Sequence, residues 1–256
     1  MTNAQCLMPN AQCPMTNKLL NLADNALIIG HRCSEWCGHG PILEQDIAIS
    51  NIALDYIGQA RNFYQHAAKL INETPLDNPS FSIPASEDSL AYLRDVTDFK
   101  NYLITELPNG DWAHTSLRIF LFSTYQYFLY QQLMQDKDAE IAAIAEKSLK
   151  EVTYHVRWSG DWVIRLGDGT EESKERMINA INSIWPYTGE LFLDNNIELK
   201  NNWEAKISDV FAEAGLHIPE KTWNQQGGTT GNHTEHLGYI LAEMQYIQRA
   251  YPNSEW

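Results

Sequence analysis

Apolar residues recur along most of this chain every three or four positions, the spacing that places side chains on one face of an α-helix. The longest such pattern begins after Pro41, which suits a first helical turn, and ends before Pro75. Its apolar positions are Ile42, Ile49, Ile52, Tyr56, Ala60, Phe63, Ala67 and Leu70. Ile47 and Leu54 widen this stripe, so we predict a helix that is buried on more than one side.

The same periodicity predicts further helices after a proline- and serine-rich loop at 74–86. They cover residues 88–106, 112–134, 141–166, 171–193 with a kink at Pro186, 196–214, 219–225 and 232–250. No segment shows a convincing period-two strand pattern. Long helices joined by short connections predict an all-α fold, a helical bundle with long antiparallel helices and extra C-terminal helices. We expect a single domain over 16–256 and a disordered extension at 1–15, where the tetrapeptide NAQC occurs twice.

Charge and cysteine content narrow the classes of function. The 256 residues carry 18 basic and 33 acidic side chains, a net charge of −15, which disfavours nucleic acid and anionic membranes as partners. A protein partner with a basic face remains open. No apolar run approaches a membrane span, and the N-terminus does not resemble a secretory signal. Two of the four cysteines lie in the predicted extension, so we expect no disulfide framework and a cytoplasmic protein.

Helical bundles often hold di-iron sites, built from two Glu residues and two Glu-x-x-His motifs. No central helix of this chain carries such a motif. Glu151 and His155 come near to it, at spacing i, i+4, and Asp55 lies in another long helix. These three residues are a candidate for a reduced metal site. The alternative, which we favour, is a buried histidine hydrogen-bonded to a neighbouring polar group.

Two other clusters contain metal-ligand residue types. His31, Cys33, Cys37 and His39 occur within nine residues, but a structural zinc site usually has two separated ligand pairs, so we favour reduced thiols at a helix end. His233 and His236 share a face at the start of the last predicted helix, where Asn232 or Thr234 can cap it. Two histidines without a third ligand favour side-chain hydrogen bonding over metal binding.

Several segments together resemble one family. They are EWCGHGP at 35–41, NIALDYIGQARNF at 51–63, ELPNGDWAHT at 106–115, KEVTYHVRWSGDWVIRLGDGT at 150–170 and HTEHLGYILAEMQYIQRAYP at 233–252. In this order they resemble the C subunits of bacterial phenylacetyl-CoA epoxidase, over residues 17–256. The resemblance implies a ferritin-like fold and a homologous A subunit that carries the di-iron centre.

The resemblance also assigns vacated ligand positions. Where the catalytic relative has a Glu and a His in its second helix, this chain has Tyr56 and Gln59. A second Glu position is Val152, and only His155 is retained. The ligand position of the first helix falls near Ala26 or Leu27. We therefore expect no catalytic, cofactor-binding or metal-binding residue in this chain.

The function implied is that of a non-catalytic structural subunit in phenylacetate catabolism, which docks on and stabilises the di-iron subunit. The whole complex would insert one oxygen atom of O2 into the ring of phenylacetyl-CoA, with electrons from NADPH through a separate flavin and iron–sulfur reductase. Two alternatives stay open. One is a self-sufficient metallo-oxygenase that uses Asp55, Glu151 and His155. The other is a CoA-thioester binding module with a basic patch of Arg157, Arg165 or Lys174.

Overall fold

Four long helices form the framework of the protein in a computed structural model that describes residues 14–73, 84–220, 223–251 and 254. They are α1 (Pro14–Ser34), α2 (Leu43–Glu73), α5 (Trp112–Leu133) and α6 (Ala139–Gly167). Six shorter helices are α3 (Glu87–Tyr92), α4 (Leu103–Glu106), α7 (Glu171–Ile184), α8 (Ile197–Glu213), α9 (Glu235–Met244) and α10 (Tyr246–Ala250). These ranges contain no strand, so the predicted all-α bundle is confirmed.

The long helices pack as two pairs, and the buried apolar residues form two clusters. α1 lies along α2, and α5 lies along α6. One apolar cluster joins α5 and α6 to α7 and α8, with Phe120 and Phe211 among its fully buried members. The other joins α1 and α2 to α3 and α9 around Leu20, Phe63 and Tyr130. Because every long helix contributes to these clusters, polar side chains buried beside them must find partners there.

Local capping explains where three of the helices begin. The carboxylate of Asp111 accepts a hydrogen bond from the backbone N–H of His114 at the start of α5. Asp138 does the same for Glu140 and Ile141 at the start of α6. Thr170 forms a capping box with Ser173 at the start of α7. Such caps satisfy backbone donors that have no partner within the helix.

The prediction of one helix over 88–106 is wrong. Two short helices, α3 and α4, stand at its ends, and a 3-10 turn at Val96–Asp98 lies between them. The intervening backbone is held by α1 instead: the N–H of Lys100 donates to Asp24 and that of Tyr102 to Asn25. Long-range hydrogen bonds to buried side chains therefore replace the helical ones.

Three C-terminal predictions also need correction. The helix predicted over 171–193 ends at Ile184 and continues as a 3-10 helix over Trp185–Phe192, because Pro186 lacks the N–H that an α-helix needs there. No helix forms at 219–220 or 223–225; residues 221–222 lie outside the described ranges. The last helix begins at Glu235 rather than 232, and a turn at Gln245 divides it into α9 and α10.

The predicted N-terminal extension falls mostly outside the described residues, which begin at Pro14. Pro14 and Met15, which we assigned to that extension, form the first turn of α1. No helix within the described ranges combines the length and apolar character needed to cross a membrane.

Candidate functional site

Four polar side chains meet where α2 passes α6. His155 Nε2 lies 3.0 Å from Asp55 Oδ2, and Gln59 Nε2 donates to Glu151 Oε2 over 2.9 Å. Residues four apart share one face of a helix, so Asp55 and Gln59 lie together on α2 and Glu151 and His155 lie together on α6. The helices run antiparallel here, so Asp55 faces His155 while Gln59, one turn further along α2, faces Glu151, one turn earlier on α6.

The network continues from Gln59 into α5. Tyr130 donates its hydroxyl hydrogen to Gln59 Oε1 over 3.2 Å, and Gln126 Nε2 donates to the Tyr130 oxygen over 3.1 Å. Gln59, Tyr130 and Gln126 are all buried. Burial raises the pKa of Tyr130 above its ordinary value, so its phenol stays protonated and serves as a donor. One glutamine thus bridges three helices through both ends of its amide.

Tyr56 and Val152 fill the space beside this network. Both side chains are fully buried, and the Tyr56 ring centroid lies 4.7 Å from that of His155. Among the described residues, the Tyr56 hydroxyl and His155 Nδ1 have no hydrogen-bond partner. Burial, followed by the neighbouring Cys33 and Tyr130, raises the pKa of Tyr56 well above its ordinary value. Its phenol is therefore neutral and brings no negative charge to this position.

These residues do not fit a di-iron centre. Such a centre needs several carboxylates and two histidines that converge on the metal ions. Here Asp55 and His155 form a hydrogen bond with each other, and the carboxylate of Glu151 accepts a hydrogen bond from the Gln59 amide. Ala26 and Leu27 of α1 are apolar and buried. In the described parts of the chain no three His, Cys, Asp or Glu side chains are grouped so that they could hold a metal ion. No reaction step through iron follows from this geometry.

The cysteine and histidine cluster is divided between the end of α1 and the loop after it. Cys33 is buried in α1, where burial raises its thiol pKa to about 12, whereas Cys37 is exposed. Burial lowers the pKa of His31. The loop is held by Asp46, whose carboxylate accepts from the N–H groups of Gly38 and Gly40. The cluster is arranged as a folded turn rather than a ligand set.

The C-terminal histidine motif attaches this part of the chain to the bundle. His233 Nδ1 lies 2.8 Å from Glu106 Oε2, and His233 Nε2 lies 3.0 Å from the carbonyl oxygen of Phe99. The N–H of Thr234, the residue that caps α9, donates to Glu106 Oε1 over 2.6 Å. Burial alone would lower the pKa of His233, but the hydrogen bond and charge of Glu106, together with the Phe99 carbonyl and Asp24, outweigh burial and raise this pKa. The side chain of His236 takes no part in these bonds.

Comparison with known proteins agrees with the motifs that these elements carry. The family model described as phenylacetic acid catabolic protein matches residues 1–256. The chain belongs to this family. It is also 41% identical to the C subunit of 1,2-phenylacetyl-CoA epoxidase from Escherichia coli strain K12, over 94% of this chain and 99% of that protein. The resemblance found in the sequence segments is therefore confirmed.

This member of the family also contains polar groups that sequence reasoning missed. Arg94 and Asp24 form an ion pair between two fully buried side chains, with the Arg94 guanidinium 4.2 Å from the Phe99 ring centroid. Neither residue lies in a recognisable motif, and no local sequence pattern connects two residues that are 70 positions apart. Local sequence patterns do not predict buried ion pairs of this kind.

The three cations of the suggested CoA patch do not line one cleft. Arg157 lines a cleft between α5, α6 and α8. Lys174 lines a different hollow with Leu216 and His217. Arg165 lies over the indole of Trp162, 5.7 Å from the ring centroid. The arrangement therefore lacks the converging cations that a polyphosphate group needs.

Proposed function

We propose that this chain is the C-type subunit of a phenylacetyl-CoA ring-1,2-epoxidase, a non-catalytic component that docks on the homologous di-iron subunit and stabilises it. Support comes from the family membership and from the relative that carries the name of that subunit. Its place would be the cytoplasm. The di-iron centre would belong to the catalytic partner, and NADPH, flavin and the iron–sulfur cluster to a separate reductase.

The observation that carries the proposal is the set of side chains at the former ligand positions. Tyr56, Gln59 and Val152 bring no negative charge, and the remaining Asp55–His155 and Gln59–Glu151 pairs satisfy each other. Two iron ions would need several carboxylates to balance their charge. Closely spaced carboxylates in a bundle interior repel one another without metal. Replacing them lets this bundle stay folded as a metal-free partner.

One face of α2 suits such docking. Leu43, Ile47 and Leu54 lie on one stripe of the helix and are 72%, 53% and 68% exposed. The prediction that Ile47 and Leu54 widen the buried side of this helix is therefore wrong for the chain by itself. Gly58 continues the stripe, and a Cβ at this position would have no atom within 4 Å. Exposed apolar side chains on one helix face are typical of the centre of a stable subunit interface. We assign this face to the di-iron subunit.

The test is co-expression with the catalytic subunit of a phenylacetyl-CoA epoxidase, with iron measured on each separated chain. We expect the two chains to co-purify, with stoichiometric iron in the partner and none bound specifically by this chain. Epoxidation should require the partner. Stoichiometric iron in this chain alone, with oxidation of phenylacetyl-CoA when only a reductase is added, would instead support the self-sufficient oxygenase that uses Asp55, Glu151 and His155.

A pair of substitutions tests the proposed docking face of α2 directly. Ile47→Asp with Leu54→Asp places two charges on the exposed stripe, so we expect loss of co-purification while the isolated chain keeps its helical content and thermal midpoint. Asn201→Asp with Asn202→Asp adds the same charge at two exposed positions of α8 and serves as the control. Co-purification that survives the first pair would place the contact on another face.

A further inference from the structure

A cleft opens between α5, α6 and α8, away from the polar network of α2 and α6. Its volume is about 610 Å³, within the range of small-molecule sites. The face of α6 that lines it extends from Thr153 to Ile164, which corresponds to about 16 Å at 1.5 Å per residue. The cleft is therefore long enough for an extended ligand rather than a single ion.

The walls of the cleft are mainly apolar. α5 contributes Tyr127 and Phe128, α6 contributes Val156 and Ile164, and α8 contributes Val210. Aromatic and branched side chains from three helices can enclose an acyl chain or an aromatic ring, and burial of such a group from water is favourable. These side chains favour a ligand with a large apolar part.

Two cations stand at the cleft without ionic partners. Arg157 of α6 and Lys206 of α8 both line it, both are exposed, and neither forms an ion pair with any residue in the described ranges. Asp161 and Glu213 also line the cleft. Because the two carboxylates offset the charge of the two cations, the cleft disfavours a polyanion such as a nucleotide. A ligand with a single carboxylate can still approach Arg157 and Lys206.

A third observation comes from Thr124 of α5. This side chain lines the cleft and is fully buried, and its hydroxyl has no hydrogen-bond partner in the described part of the chain. A buried hydroxyl without a partner is unfavourable, and such groups in native proteins often mark a place where a further polar atom binds. Thr124 therefore adds a buried polar contact point beside the apolar side chains of α5.

We propose that this cleft binds a small amphiphilic carboxylate, with its acyl or aryl body against Val156, Ile164 and Val210 and its carboxylate between Arg157 and Lys206. This site is separate from the vacated ligand positions and does not depend on the proposed docking role. It would give the subunit a ligand of its own.

Isothermal titration of the full chain with decanoate and 4-phenylbutyrate tests the proposal, with decan-1-ol as the uncharged analogue. We expect saturable binding of the carboxylates at one site and weaker binding of the alcohol. Arg157→Met with Lys206→Met should weaken decanoate binding about tenfold and abolish the preference over decan-1-ol. Both positions are exposed, so the thermal midpoint of the ligand-free variant should match that of the native chain.

Lys147→Met with Lys150→Met is the matched control, because it removes two exposed charges from α6 outside the cleft. We expect this pair to leave decanoate binding unchanged. Absence of saturable binding, an equal loss in the control pair, or equal affinity for decan-1-ol would each overturn the proposal. So would hydrogen-exchange protection of the cleft that appears only when the catalytic partner is added and never with a carboxylate, since the cleft would then be a protein contact.

Discussion

The side-chain amide of Gln59 on α2 donates to the carboxylate of Glu151 on α6, with 2.9 Å between Nε2 and Oε2. This bond joins a position that the family resemblance assigns to a lost histidine ligand with a carboxylate that would otherwise be available to a metal. Because the amide oxygen of Gln59 also accepts from Tyr130, the glutamine connects α2 to two other helices. The bond thus has a structural role that can be measured as stability.

Gln59→Glu should destabilise the protein by about 1–3 kcal/mol at neutral pH, because a buried hydrogen-bond donor becomes a carboxylate facing Glu151. Adding Glu151→Gln restores one amide and one carboxylate, so most of the loss should be recovered. Urea unfolding of the two single variants and the double variant measures this coupling. Additive losses in the double variant would show that the two side chains do not interact in solution.

Restoring a carboxylate at a former ligand position should also lower the stability of the protein. Val152→Glu places an unpaired carboxyl group at a fully buried site, and we expect a loss of about 3–5 kcal/mol at pH 8. A buried carboxyl has a raised pKa, so the penalty is small at low pH, grows as pH rises above the unfolded-state pKa, and is complete above the folded-state pKa.

Denaturant unfolding between pH 5 and pH 8 checks this dependence. Val152→Gln, which introduces a side chain of the same size as glutamate and no charge, should show a loss that does not vary with pH. If Val152→Glu proved as stable as the native chain and bound iron stoichiometrically, the former ligand positions would still form a metal-binding site, contrary to our proposal.

The long helices α2, α5 and α6 were predictable because their apolar residues recur at helical spacing over many turns, as in α2 from Ile49 to Leu70. The fourth long helix, α1 (Pro14–Ser34), was not predicted from the sequence. The segment 88–106 was not predicted correctly, because its backbone conformation depends on Asp24 and Asn25 in α1, which lie more than seventy residues earlier in the chain. Periodicity reports only which side of a segment faces the interior. It does not report which distant side chain replaces a helical hydrogen bond.

The same distinction applies to the candidate site. Sequence spacing placed Glu151 and His155 on one face of a helix, and motif comparison identified Tyr56, Gln59 and Val152 as positions of interest. The pairing of Gln59 with Glu151 depends on how α2 and α6 are aligned, which no local pattern contains. The cleft beside α8 was missed for the same reason, since its walls come from three separate helices.

The buried ion pair of Arg94 and Asp24 gives a further prediction. Asp24 is the ion-pair partner of Arg94, so removal of its charge leaves Arg94 buried without a counter-charge. Asp24 also accepts a hydrogen bond from the backbone N–H of Lys100 over 2.7 Å. Asp24→Asn or Arg94→Met should each cost about 3–5 kcal/mol, and the double variant should cost much less than the sum. Lys200→Met breaks an exposed pair with Glu204 and should cost less than about 1 kcal/mol. Chemical denaturation of all four variants provides the measurement; a fully additive double variant would contradict the pairing.

The contact between His233 and Glu106 should make stability depend on pH. Both ring nitrogens of His233 face acceptors, Glu106 Oε2 and the Phe99 carbonyl, and only the protonated imidazole can donate to both. The raised pKa of His233 therefore adds stability that is fully present below the ordinary histidine pKa of about 6.5 and is lost as pH rises through the folded-state value.

We expect His233→Gln to be less stable than the native chain by about 1–3 kcal/mol at pH 6, the range of a hydrogen bond to a charged group, and the difference to shrink by pH 8. His39→Gln, at an exposed position, should leave the pH profile unchanged. Titration of the His233 imidazole by NMR should give a pKa above about 6.5. A value at or below that level, or a stability difference that stays constant from pH 6 to pH 8, would show that the neutral imidazole is the form that attaches α9 to the bundle.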